Sequence, residues 1–400
     1  MQNSLNRLAG SLKGILIGFI LFFVSIGVLY WNEGRVDLSG VADDAIKISA
    51  TEQNPEAEGQ LVSLSGTIEA EGMIGDIYLQ EGDYVAVRRN VEMYAWDEKS
   101  ESVENNDGYI DNENPDQRRI EDRIYSYEKT WTSNPSDSSK FEFPSEHQNP
   151  QKPIEGETIK ATSAKVGLYS LNLDKAQLPG FQDVILTAEN ALLEEGNLME
   201  DEDTGTAFFE NFEDITPTLE SNKYIFKGFG TLVASVVGDV RSSYSVVASN
   251  QQVTVFGQQS GTEISTFVGP KNSNLYRIFS GTHEESLSKM TTEHSQSTWG
   301  LRVLGFVLMW ISLGMLLGPI STVLDFVPLV GDLGKGVIGI ATFIVAAVVS
   351  TVVVFVSMIL HNIIALILVA LLIIGVVVMI LRGKAQSTST SKSKPGMDKS

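Results

Sequence analysis

The chain has 400 residues, a formal net charge of −21 at pH 7 and no cysteine. The missing thiols exclude disulfide bonds, thiol catalysis and Cys-based metal sites. The acidic balance argues against a nucleic-acid partner, because phosphate backbones are held by clustered Lys and Arg.

Residues 1–13 form a short tail with Arg7 and Lys13 and no acid. Residues 14–31 (GILIGFILFFVSIGVLYW) carry no charge. About 18–25 apolar residues match the roughly 30 Å hydrocarbon core of a bilayer, so this run predicts a first transmembrane helix. The following sequence, SIGVLYWNEG over residues 25–34, has no small-x-small cleavage pattern, so the run reads as a signal anchor. Trp31-Asn32-Glu33-Gly34-Arg35 closes the helix. Trp31 suits the headgroup level, Gly34 a left-handed helix end, and Arg35 lipid phosphates. The same five residues form the candidate membrane-interface or partner motif.

Residues 32–300 hold 47 of the 50 acidic residues and 20 of the 29 basic ones, a net charge of −27; the remainder carries +6. Basic flanks stay in the cytoplasm, so the acidic segment is expected outside it. It reads as strand-rich. Leu61–Ile68, Val85–Trp96 and Arg123–Trp131 alternate, with β-branched and aromatic residues. Residues 224–237, 241–247, 252–256 and 275–279 add further strands. Glu92, Tyr94 and Trp96 share one face of their strand; Tyr125, Tyr127 and Trp131 share a face of the next. Cross-strand aromatic pairing is the expected use of both rows. Residues 97–122 read as a long exposed loop between these two strands, and residues 194–206 as another surface loop.

Helix signals in this segment are fewer. Residues 37–49 suggest a short amphipathic helix, with weaker candidates at 174–178 and 184–193. Thr282-His283-Glu284-Glu285 is a capping box. Leu287, Met290 and His294 then recur at helical spacing, so a juxtamembrane helix over 283–300 is expected to run into the second span. GQLVSLSGTI and KGFGTLVASV hint at a duplication and leave one or two β-subdomains open.

Residues 301–320, 336–360 and 363–381 complete the apolar runs. As one helix, residues 337–381 would reach about 67 Å, too long for a single crossing. A hairpin turning at His361-Asn362 is expected. The overall reading is an α+β membrane protein with four transmembrane helices and a large β-rich extracytoplasmic domain between the first two. Both termini are then cytoplasmic, as are a loop over 321–335, bounded by Pro319 and Pro328, and a basic disordered tail over 382–400. Residues 336–381 contain no Asp, Glu, Lys or Arg, which argues against a transporter. Gly336, Gly339 and Ala346 mark a candidate helix-packing face.

No catalytic, cofactor or metal site is expected. His147, His283, His294 and His361 lack metal-ligand spacing, and Asp201-Glu202-Asp203 lacks the spacing of a calcium loop. No nucleophile elbow, P-loop or dinucleotide fingerprint is present.

The stretches NEGR (32–35), EGQLVSLSG (58–66), RRNVEMYAW (88–96), YSYEKTW (125–131), GDVRSSY (238–244), TWGLR (298–302) and LDFVPLVGDL (324–333) resemble the LUMA, or transmembrane protein 43, family in order and across almost the whole chain. The resemblance implies one span, a large luminal domain and three further spans, with no established catalytic residues. In animals it implies an endoplasmic-reticulum and inner-nuclear-membrane protein that self-associates, organises membrane-protein complexes and contacts lamins and emerin. The acidic domain and the tail STSTSKSKPGMDKS depart from the animal pattern and suit a bacterial member in the cell inner membrane, where no lamina exists. The region from Tyr224 to the second span also resembles the beside-a-membrane domain of mitochondrial ubiquitin ligases; without a RING, ligase activity is not implied.

Two function classes follow. One is a non-enzymatic integral membrane scaffold whose partners are the bilayer, further copies of itself and other membrane proteins. The other is a lipid-handling or lipid-modifying protein with a groove in the β-rich domain. A filled β-core favours the first and an apolar groove the second.

Overall fold

A computed structural model describes residues 2–102, 117–120, 123–193, 199–200, 207–208, 211–324 and 331–362, together with 364, 366–369, 371 and 374. The chain divides into two compact units, one of Met1–Gly40 with Ser288–Ser400 and one of Val41–Leu287.

The central unit contains a closed β-barrel. Leu61–Ala70 pairs along one edge with Gln251–Ser260. The ring continues through Glu263–Ser265, Tyr169–Leu171 and Ala164–Val166, and returns to Leu61–Ala70. Ile46–Ile48 adds in parallel to Leu61–Ala70, and Arg277–Ser280 adds to Gln251–Ser260. The register puts Val62, Leu64, Ile68, Val253 and Val255 on one face, with Val166, Tyr169, Leu171 and Ile264. All nine are at most 2% exposed and pack in one cluster, so side chains fill the barrel.

The second sheet has eight antiparallel strands. Its spine is Thr218–Glu220, Tyr224–Lys227, Val240–Ala248, Tyr84–Ser102, Arg123–Thr132 and Gln117–Ile120. Gln182–Asp183 and Glu157–Lys160 pair beside Val240–Ala248 and Tyr84–Ser102 respectively. Tyr94 stands opposite Trp131, which is the one directly opposed aromatic pair of the two rows; Trp96 faces Lys129, and Tyr127 and Tyr125 face Glu98 and Ser100.

Several expectations are corrected. The strand ending at Trp96 continues to Ser102, and Gln117–Ile120 pairs with Arg123–Thr132. Polar side chains on a solvated sheet edge carry no hydrophobic signal, so the sequence of this stretch reads as loop; residues 103–116 and 121–122 lie outside the described residues. The expected loop at 194–206 includes Met199–Glu200, which pairs with Ala207–Phe208; the rest of it is outside the described residues. The helix expected over 37–49 is α2 (Leu38–Asp43), followed by strand Ile46–Ile48, whose partner Val62–Leu64 is too remote for local pattern to reveal. Of residues 174–178, Asp174 and Lys175 lie in a turn whose amides donate to Asn172 Oδ1, and Gln177 bridges to Arg277. Residues 184–193 are extended around a turn in which Thr187 N donates to Asn190 Oδ1 at 2.7 Å. Val184 N donates to the strand carbonyl of Tyr244 and Leu192 N to the turn carbonyl of Tyr78, which removes the helix alternative. Tyr224–Lys227 ends early, and KGFGTLVASV becomes a loop rather than a repeat of GQLVSLSGTI.

The other unit is helical. Its elements are α1 (Gln2–Glu33), α3 (His283–Leu324, which starts in the central unit) and α4 (Gly331–His361). The capping box forms: Thr282 N donates to Glu285 Oε2 at 2.8 Å and Glu285 N to Thr282 Oγ1 at 3.3 Å. Gly14–Asp43, His283–Leu317 and Gly339–His361 are long and apolar enough to cross a membrane. Pro319 lies within α3 instead of ending it; apolar helices tolerate proline where neighbours meet the freed carbonyl. Helix through Leu324 and from Gly331 also shortens the loop expected over 321–335; residues 325–330 lie outside the described residues. At the predicted turn, Asn362 leaves the helix and its Oδ1 accepts Ile364 N at 3.0 Å, as an N-cap does. Most of the run 363–381 lies outside the described residues; 364, 366–369, 371 and 374 are helical.

Candidate functional site

The helical unit is assembled by close approach along α1 and polar contacts at its end. A Cβ on Gly18 would stand 2.9 Å from Met315 Cβ, and one on Gly305 would stand 2.5 Å from Leu29 Cδ2. Between them Ser25 Oγ donates to Phe22 O at 2.7 Å and contacts Met309 Sδ at 3.6 Å. Partners fall as α1 rises, so α1 and α3 are antiparallel. Glycine at both crossings lets the helices meet at van der Waals distance, the main attraction available in lipid.

The motif at the end of α1 closes this seam. Asn32 Nδ2 donates to Thr298 O at 3.1 Å. Arg302 Nε and Nη2 each donate to a Glu33 carboxylate oxygen at 2.8 Å. Arg35 Nη1 donates to Ser297 Oγ at 2.8 Å. Glu33 is 5% exposed and Arg302 22%. A pair so withdrawn from water holds together through its bidentate geometry. Trp299 lies 5.0 Å under the Arg302 guanidinium, and Trp31 5.7 Å under that of Arg35. Two stretches recognised separately, NEGR and TWGLR, are thus two halves of one clasp.

Gly34 does not adopt the expected left-handed conformation. Proximity demands the glycine: a Cβ would stand 2.4 Å from His361 Nε2. His361 Nδ1 donates to Ser357 O at 2.8 Å, and the ring packs 4.5 Å from Tyr30. The last turn of α4 therefore joins the clasp. Asn32 Oδ1 and Thr298 Oγ1 are buried there without a hydrogen-bond partner.

The expected packing face is distributed differently. Gly339 has open space where a Cβ would stand, and its carbonyl accepts Trp310 Nε1 at 3.4 Å. Phe343 packs edge-on against Phe306 and Trp310, at 5.2 and 5.3 Å. Ala346 is fully buried. Gly336 lies in α4. Sequence reasoning missed Gly18 and Gly305. Their only signal is a small residue in each apolar run, and many apolar runs contain one.

In the β unit, the basic pair and aromatic row are structural. Arg89 is 8% exposed and donates to Asp76, to Glu155 O at 3.0 Å and to Glu157 at 3.2 Å. Burial pushes the neighbouring Tyr244 hydroxyl up from the usual range, and Asp76 beside it adds to this. Arg241 donates to Glu92 at 2.7 Å and lies between Trp131 and Tyr224, at 4.5 and 4.6 Å. His147 stacks on Tyr127 at 3.6 Å and meets Trp96 edge-on at 4.7 Å. A polar cleft of about 380 Å³ lies beside Arg89, between Lys152, Glu155 and Glu157. Among the described residues, no group of three His, Cys, Asp or Glu side chains could hold a metal ion.

Apolar helices of membrane-crossing length, with a β-rich domain between the first and second, define an integral membrane protein. The family model for transmembrane protein 43 matches residues 93–363, and the chain belongs to that family. It is 26% identical to rat transmembrane protein 43 over 352 residues and to the human protein over 356, covering 82% of this chain and 80% of each relative. The Drosophila melanogaster homolog is 26% identical over 313 residues, 74% of each chain. No solved structure matches the chain.

Proposed function

We propose that this protein is a non-enzymatic membrane scaffold that self-associates through its helices and organises other membrane proteins. The carrying observation is how little of the helical unit is used internally. Leu29, Met309 and Ala346 are fully buried, whereas Phe19, Phe23, Ile344, Val352 and Phe355 are 54–62% exposed. The clasp fixes the helices to each other and leaves these apolar faces for lipid and for further helices. The filled barrel supports this reading over a lipid-handling groove.

The topology belongs to the proposal: four spans, both termini cytoplasmic, and the acidic β domain outside. Asn32 meets Thr298 and Gly34 meets His361, so the end of α1, the Thr298 turn of α3 and the end of α4 lie at one end of the bundle. A fourth crossing over 363–381 returns the basic tail to the side of the N-terminus. The membrane is the endoplasmic reticulum or inner nuclear membrane in a eukaryote and the inner membrane in a bacterium.

Cross-linking in native membranes, then affinity purification in mild detergent and mass spectrometry, tests this. Multimers that carry other integral membrane proteins are expected. Gly339→Leu fills open space in the monomer and should weaken the cross-linked ladder while the chain stays folded. A wild-type chain recovered alone as a monomer would overturn the scaffold reading.

A further inference from the structure

We propose that the loop over residues 228–239 of the β domain is a lipid-inserting tip. It lies between strands Tyr224–Lys227 and Val240–Ala248 and reads GFGTLVASVVGD. Val233 is 99% exposed, Phe229 60% and Val236 50%. Residues 228–238 carry no charge, inside a segment that holds nearly all of the acid in the chain. A surface loop in water has no use for such side chains held outward.

The tip is built rather than slack. Asp239 is 1% exposed, and its carboxylate accepts Phe229 N at 2.8 Å, Gly230 N at 3.4 Å and Val236 N at 2.7 Å. Its own backbone is locked to the sheet, with Tyr94 N donating to Asp239 O at 2.8 Å and Gly238 N to Tyr94 O at 2.9 Å. Gly228 and Gly230 admit the carboxylate, because a Cβ on either would lie within 2.6 Å of one of its oxygens. Gly238 has φ +102°, which a side chain rarely adopts. Farther out, Thr231 N donates to Ala234 O at 3.2 Å, Ala234 N to Thr231 Oγ1 at 3.1 Å and Ser235 Oγ to Thr231 O at 3.1 Å.

These internal bonds point to the occupant. Backbone groups that enter a bilayer are costly unless bonded within the protein, and this loop bonds the amides of Phe229, Gly230, Thr231, Ala234, Val236, Gly238 and Asp239 internally while presenting apolar side chains. The apolar helices hold the chain at a bilayer, so that phase is always present. The absence of charge makes the contact independent of anionic headgroups.

The chain has no native cysteine, so a single one can be labelled in the full-length protein. Val233→Cys carries a nitroxide in phosphatidylcholine proteoliposomes, with Phe229→Cys, Val236→Cys and exposed Lys140→Cys as companions. Collision with oxygen and with a water-soluble nickel chelate is measured by spin-label power saturation. The oxygen-to-nickel ratio should be several-fold higher at 233 than at 140, with 229 and 236 between them. Equal ratios at 233 and 140 would overturn the proposal. So would low accessibility to both reagents at 233, which would mark a protein contact instead.

Discussion

The β unit and the helical unit solve opposite problems. In the β unit water is the alternative environment, so burial supplies the stability. Val62, Leu64, Ile68, Val253 and Val255 are all fully buried. In the helical unit lipid is the alternative, and it is as apolar as leucine. Burial therefore gains little there, and glycine contacts and hydrogen bonds decide how helices meet. The chain follows this division. Its dense core is in the barrel, whereas α1 and α3 meet through Gly18, Gly305 and the Glu33–Arg302 pair.

The largest expected effect lies in the β unit. Arg89→Ala strands Asp76, which is 4% exposed, without its counter-charge. Losing one partner of a buried pair costs about 3–5 kcal/mol. Thermal unfolding and limited proteolysis of the full chain in mild detergent should show this. Arg89→Met combined with Asp76→Leu should restore much of the loss. If the single variant matches wild type, the burial assigned to this pair is wrong.

The clasp should respond on a smaller scale. Glu33→Gln and Arg302→Gln each remove one partner, and an interhelical polar contact in a membrane is worth about 0.6–2 kcal/mol. A double-mutant cycle on helix association should show coupling of that order, with barrel unfolding unchanged. Strict additivity would show that the two residues act separately. Gly305→Leu should separate α1 from α3 sterically, which disulfide trapping between Cys substitutions at Ser25 and Met309 would detect.

Legibility followed the same division. β-branched and aromatic residues exposed the two long barrel strands and the aromatic strands, whereas Ala164–Val166, Tyr169–Leu171 and Glu263–Ser265 are too short to carry a pattern and went unread. The Thr282–Glu285 box exposed the start of α3 because its bonds span three residues. The clasp was invisible as a contact: Glu33 and Arg302 are 269 residues apart, and the motif over 31–35 alone reads as a helix-end anchor. The barrel's closure was hidden for the same reason, since local pattern does not say that Gln251–Ser260 returns to Leu61–Ala70. Residues 184–193 misled because apolar spacing imitates a helix, while a single Asn190 side chain sets the turn.

Alkaline pH should separate the units further. Burial pushes the Tyr276 hydroxyl up to about 12 from 10.0, with Glu263 adding to the rise and the amide of Asn172 opposing it. Burial and, respectively, Asp76 and Glu98 also raise Tyr244 and Tyr127. A raised folded pKa contributes stability that is complete below the unfolded value and is lost as pH climbs through the folded one. The melting temperature of the β unit should therefore hold to about pH 9.5 and fall between pH 10 and 12. Tyr276→Phe should make that fall shallower. A flat profile to pH 12 would contradict the burial of these phenols.

The smallest effect is expected at the connector between the two long strands. Ten residue pairs, Met93↔Thr132 to Ser102↔Arg123, already fix the register of Tyr84–Ser102 against Arg123–Thr132, and Gln117–Ile120 only extends that edge. Replacing residues 103–122 with a short Asn-Gly turn shortens the loop without touching those pairs. Closure entropy changes by only about 0.6 kcal/mol per doubling of loop length, and shortening favours the folded state. The melting temperature should stay level or rise slightly, and the Tyr94–Trp131 ring contact at 5.4 Å should keep its aromatic circular-dichroism signature. A loss comparable with Arg89→Ala would mean that the edge strand supports the sheet. The β unit's stability would then reside partly at its rim rather than in its buried face.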